Sequence, residues 1–190
     1  MTKKQTIVLV IVALLVLGLL IYLGSSNKSM VDDQTEGEDS AEESSEPVGE
    51  EAAPGSSLID EEGKVVDDEG EEVDNSADPG SSSAPRQSDP ITEEDTPEEA
   101  LKLEVSASGY SPSTFEVDSG RAVTITVTSV DDQTHIFKFK DESLKGVAVG
   151  IAPGETRAIS FNAPASGEYD FYCDVPGHEA RGETGTMIVK

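Results

Sequence analysis

The chain has 190 residues and a formal net charge of −26, from 13 Lys and Arg against 39 Asp and Glu. So acidic a chain is unsuited to nucleic acid, where affinity rests on neutralising phosphates. A single cysteine excludes an internal disulfide framework. The charge is uneven: residues 31–99 hold 26 acids and two bases, whereas residues 100–190 hold 13 acids and eight bases.

In chain order, Lys3 and Lys4 precede an almost wholly apolar run at residues 7–23. As a helix it would extend roughly 25 Å at about 1.5 Å per residue, near the lower limit for crossing a bilayer. The run is longer than the apolar core of a secretory signal, and Gly24-Ser25-Ser26 makes a weak cleavage site, so residues 1–28 read as an uncleaved anchor with a cleaved signal as the alternative. The positive-inside rule keeps the two lysines cytoplasmic and sends the C-terminal part out of the cytoplasm. The expected location is the cell membrane, single-pass. Asn27-Lys28-Ser29 matches a glycosylation sequon beside that span.

Residues 29–99 are rich in Glu, Asp, Ser, Gly and Pro and contain no aromatic residue. Such a composition buries too little apolar surface to offset ordering entropy, and like charges extend it. The expectation is a disordered acidic linker, with a cation sponge or a docking tail for a basic partner as alternatives. Leu58-Ile59 and Val65-Val66 stand as isolated apolar pairs, and no internal repeat is evident.

Residues 100–190 differ in kind. LKLEVSA, STFEV, RAVTITVTSV, THIFKFK, TRAISFNAP, GEYDFYC and GTMIVK are short runs rich in β-branched and aromatic residues, several alternating apolar with polar. Turn signals such as Ser119-Gly120 and Pro153-Gly154 separate them. Strands at this spacing, with no helical period, predict an all-β sandwich or small barrel. Phe161, Tyr169 and Phe171 are expected in or near its core.

Both histidines and the cysteine of the whole chain lie in this part. His135 opens one strand-like run, Cys173 ends another, and His178 follows a Pro176-Gly177 turn that lets the two converge. Two imidazoles and a thiolate with a weak fourth ligand form the mononuclear blue-copper pattern. A binuclear copper domain needs a second cysteine between Cys173 and His178, and that span is Asp-Val-Pro-Gly.

GYSPSTFEVDSGRAVTITV, the lone His135, IAPGET, GEYDFYCDVPGH and the closing GTMIVK together resemble the cupredoxin family over nearly all of residues 101–190. The resemblance implies a Greek-key sandwich with one copper ion held by His135, Cys173 and His178. It departs at the axial ligand: where the family commonly carries Gly-Met-x-Gly, this chain has Gly182-Glu183-Thr184-Gly185. Glu183 is the expected axial group and Met187 the alternative, although a methionine there also reads as core. A carboxylate favours Cu(II) over Cu(I) and makes zinc a second possible ion. The Val175 amide is the expected hydrogen-bond donor to the Cys173 sulfur.

The leading expectation is a membrane-tethered one-electron carrier, not an enzyme, with His178 as the exit point toward an unidentified redox partner protein. No nucleic acid and no small-molecule substrate are expected. The alternatives are copper delivery, storage or sensing, and a zinc-bound or metal-free interaction module.

Overall fold

The structure is a computed structural model and describes residues 52–190. The predicted span at residues 7–23, the Asn27 sequon and residues 29–51 of the predicted linker lie outside the described residues. Among the described residues, no helix is long and apolar enough to cross a membrane.

The strands in chain order are β1 (Leu58–Ile59), β2 (Val65–Val66), β3 (Leu101–Ser106), β4 (Gly109–Ser111), β5 (Thr114–Val117) and β6 (Ala122–Ser129). They continue with β7 (His135–Phe139), β8 (Ala148–Ile151), β9 (Thr156–Asn162), β10 (Gly167–Cys173) and β11 (Thr184–Val189). A five-stranded sheet ordered β5-β11-β10-β7-β8 faces a four-stranded sheet ordered β4-β3-β6-β9. All seven runs read as strands form strands. The two they miss in this part, β4 and β8, have three and four residues, too short to display a period.

Alternation decides which side chains fill the space between the sheets. Along β7, His135, Phe137 and Phe139 are buried while Ile136 and Lys138 are partly exposed. Phe137 and Phe171 lie side by side with ring centroids 5.1 Å apart, and Tyr110 meets both edge-on. Phe161 and Phe171 are fully buried as expected, and Tyr169 packs partly buried against the same core. Gly185, on β11, lies against the Phe171 ring: a Cβ there would overlap that ring and the Ser113 carbonyl oxygen. No side chain fits at this position.

The expected linker is corrected over residues 52–99, which pack against the sandwich. Their composition does forbid a core of their own, but their order comes from elsewhere. Asp60 Oδ1 accepts the amides of Glu62 and Lys64, and seven residues later Asp67 Oδ1 accepts those of Glu69 and Glu71. Asp74, seven further on, accepts the Ser76 amide. These Asx turns form a sequence repeat, Asp60/Gly63 and Asp67/Gly70, that the composition concealed. They fold the chain locally, pair β1 with β2, and turn Val65, Val66 and Val73 inward.

The segment then covers two sheet edges at once. β9 ends the four-stranded sheet and β8 ends the five-stranded one. Ser88 donates its amide to the Ala158 carbonyl and accepts the Ala158 amide on its hydroxyl, both at 2.8 Å, and Ile91 donates to the Thr156 carbonyl at 2.9 Å. Gln87 Oε1 accepts the Gly150 amide of β8 at 2.8 Å. The Asn162 side chain acts as a further strand neighbour, accepting the Val65 amide at 3.0 Å and donating to the Val65 carbonyl at 3.1 Å. An uncovered edge strand would be a template for aggregation, and this cover removes it.

Two outcomes are expected on denaturation in urea. Asn162→Ala orphans the buried Val65 amide, while the Val65 carbonyl keeps the Val73 amide, and should cost about 2 kcal/mol; an unchanged midpoint would show that the Asn162 bonds contribute nothing. Gly185→Ala forces the Phe171 ring out of place and should cost ~3 kcal/mol by overpacking, which a wild-type midpoint would refute.

Candidate metal centre

The site forms where β7, β10 and β11 meet at one end of the five-stranded sheet. Cys173 pairs with Phe137 on β7, so His135, two residues along β7 from Phe137, shares the buried face with the thiol. On the other side, Tyr172 pairs with Thr184, and the Cys173 amide donates to the Glu183 carbonyl at 3.0 Å. Glu183 therefore stands directly across from Cys173, where cross-strand Cβ atoms are about 5 Å apart. Its carboxylate is aimed inward and fully buried.

His178 arrives by a loop. After β10 the chain turns at Pro176-Gly177, His178 heads a short 3-10 turn at Glu179–Arg181, and Gly182 closes it. Gly177 and Gly182 have φ values of 87° and 101°, the left-handed region that glycine tolerates without a Cβ clash. The His178 amide bonds the Val175 carbonyl at 3.0 Å, which tightens the turn expected from the sequence.

One ligand atom from each of His135, Cys173, His178 and Glu183 lies within 4.8 Å of all the others. Glu183 Oε2 is 2.9 Å from Nδ1 of both histidines. Cys173 Sγ is 3.5 Å from Nδ1 of His178 and 3.9 Å from Nδ1 of His135. Four donors bound to one ion at about 2.0–2.3 Å would be separated by roughly 3.3–3.6 Å in a tetrahedron, so the spacing fits a single metal. The chemistry fits as well. Unprotonated, these atoms turn lone pairs and negative charge toward one another in a buried space, an arrangement that only a shared cation or extra protons can stabilise.

Three of the four donors have a second partner. His135 Nε2 lies 3.0 Å from Asp131 Oδ1. Arg181 donates to Glu183 Oε1 at 2.7 Å, which leaves Oε2 for the histidines. Burial pushes the Glu183 carboxyl upward, but hydrogen bonds from His135, Cys173, Arg181 and His178 outweigh it and hold the group below its usual range. Burial dominates at Cys173 and raises its thiol, against the amides of Ile136 and Val175 that favour the thiolate.

The four residues singled out from sequence thus come together. Met187 does not join them: it is buried in the core, paired with Tyr169 and Phe115. It lies three residues along β11 from Thr184, about 10 Å at roughly 3.3 Å per residue. The expected amide donor is also refined. Ile136 N–H donates to the Cys173 sulfur at 3.3 Å, and Val175 is the lesser of the two amide influences on it. Residue type alone does not mark Ile136 and Asp131, because only the β7–β10 register and the loop before β7 bring them to the site. The spacing of Asp131 four residues before His135 was the one signal available for the carboxylate.

Over 88 residues the chain is 32% identical to nitrous-oxide reductase of Pseudomonas fluorescens, a match covering 44% of this chain and 13% of that enzyme. Among solved structures, a reduced auracyanin of Roseiflexus castenholzii is 24% identical, with 48% of this chain and 97% of that one covered at a TM-score of 0.43. Auracyanin A of Chloroflexus aurantiacus, described as a blue copper protein, is 20% identical over 48% of this chain and 98% of its own, at 0.41. Amicyanin of Paracoccus versutus is 20% identical over 54% and 92%, also at 0.41. The family model described as cupredoxin-like domain matches residues 82–189, more than half of the chain, so it takes in part of the edge-covering segment as well as the sandwich. The chain belongs to the cupredoxin-like domain family.

Proposed function

We propose that this protein is a mononuclear copper protein that carries single electrons, tethered to the membrane by residues 7–23 with the sandwich outside the cytoplasm. The observation that carries the reading is the convergence of His135, Cys173, His178 and Glu183 on one buried point. Copper bound there would supply a one-electron couple between Cu(I) and Cu(II).

The chain's own residues do the rest. The strand register holds His135 and Cys173, and the Ile136 amide fixes the sulfur. Arg181 anchors one oxygen of Glu183 so that the other stays in place. Donors held this firmly move little between oxidation states, and burial keeps water away from them. His178 is the exposed edge of the set: its side chain is 10% accessible, against none for His135 and Glu183. Electrons would pass there to a partner protein. Four donors on one ion leave no open position for a substrate, which favours a carrier over an enzyme.

A specific observation favours zinc as a second reading. A buried carboxylate completes a Cys, His, His, Glu set, which suits a closed tetrahedral zinc site.

Titration of the purified chain with Cu(II) and with Zn(II) tests the proposal. The expected result is one equivalent of copper, an intense thiolate-to-copper absorption that Cys173→Ser removes, and reversible reduction. Copper uptake ending in thiol oxidation would point to copper handling, and exclusive zinc uptake to the second reading. In the copper form, Glu183→Met should raise the reduction potential, since a thioether stabilises Cu(II) less than a carboxylate does. An unchanged potential and spectrum would remove Glu183 from the ligand set.

A further inference from the structure

Asp131 is bound into the site more firmly than a loop carboxylate needs to be. It lies in the Val130–Thr134 connection between β6 and β7, and its side chain is one-fifth exposed. Oδ1 accepts the Gln133 amide at 2.9 Å and lies 3.0 Å from Nε2 of the fully buried His135. Oδ2 accepts the Ala107 amide at 2.8 Å, from the turn between β3 and β4. Two separate turns therefore pin this one carboxylate against one imidazole.

The pinning is part of a closed ring. Gln133 Oε1 accepts both terminal nitrogens of Arg181 at 3.1 Å, and Arg181 donates to Glu183 Oε1. Glu183 Oε2 then faces Nδ1 of His135, whose other nitrogen faces Asp131. The DDQTH loop and the HEARGE loop are joined through this ring, with the donor cluster inside it.

A neutral imidazole carries one N–H. Nδ1 of His135 faces Cys173 and Glu183, and Nε2 faces Asp131. With Nδ1 given to a metal, the proton belongs on Nε2 and is donated to Asp131. A carboxylate in that position fixes the tautomer and the ring angle and makes the imidazole a stronger donor. We propose that Asp131 is a positioning residue for His135, holding Nδ1 toward the metal and placing a negative charge behind the ring that favours the divalent over the monovalent ion.

This inference rests on the reading of the cluster as a mononuclear metal site, and the test separates the two. The full-length chain in mild detergent is compared with Asp131→Asn and Asp131→Ala. Zinc affinity is measured by competition with a chromophoric chelator, the reduction potential in the copper form, and stability by urea denaturation. Asparagine keeps one acceptor oxygen, which can serve Nε2–H and the Gln133 amide, but it gives up the acceptor for the Ala107 amide and removes the charge. Asp131→Asn should shift the potential upward and weaken zinc, and Asp131→Ala should weaken zinc by roughly 10- to 100-fold. A potential and zinc affinity equal to wild type in Asp131→Asn, with only stability lost in Asp131→Ala, would reduce Asp131 to a loop cap and overturn the inference. Should wild type bind neither ion, the metal-site reading falls and takes this inference with it. If Asp131→Ala fails to fold, the asparagine variant decides alone.

Discussion

The register between β10 and its two neighbours is the constraint on which the site depends. Cys173 pairs with Phe137 on one side and stands across from Glu183 on the other. A slip of one residue on either side would turn His135 or Glu183 to the opposite face of the sheet. Large, rigid residues guard against such a slip: Phe137, Phe139 and Phe171 interlock in the core beneath the site, and Gly185 admits the Phe171 ring where no other residue would. Packing energy in the core thus becomes positional accuracy at the donors.

Placing four donors around one buried point is unfavourable until something balances them. The surrounding residues limit that cost without removing it. Arg181 offsets one carboxylate, the amides of Ile136 and Val175 favour the thiolate, and Asp131 pairs with the far side of His135. The site is held in a geometry that a shared cation or added protons would relieve.

The acidic segment before the sandwich shows how composition and structure diverge. The sixteen acids between residues 52 and 99 are compatible with order because they do not need to enter a core. Some accept backbone amides in tight turns, and others stay in water. Arg86 meets Asp68 with two hydrogen bonds on the surface. What secures the segment is a row of backbone bonds to β9 and β8, edges that were otherwise unpaired.

Residue types and their alternation sufficed for seven of the strands and for the donor types. Period-two alternation marked β6 and β7 because one face of each is buried, and His135, Cys173 and His178 stood out because the chain has no other histidine or cysteine. Glycines at 182 and 185 bracketed Glu183 and drew attention to it. Tertiary structure alone decided the rest. Whether Glu183 or Met187 faces the cluster depends on which residue of β11 lies across from Cys173, and that is a matter of pairing, not of residue type. Ile136 and Asp131 look ordinary in the sequence because their partners are 37 and four residues away, on another strand and at the start of the next one. The order of residues 52–99 was equally hidden, because the groups that hold it are backbone amides and carbonyls of distant strands, which every sequence possesses and only a fold brings within reach.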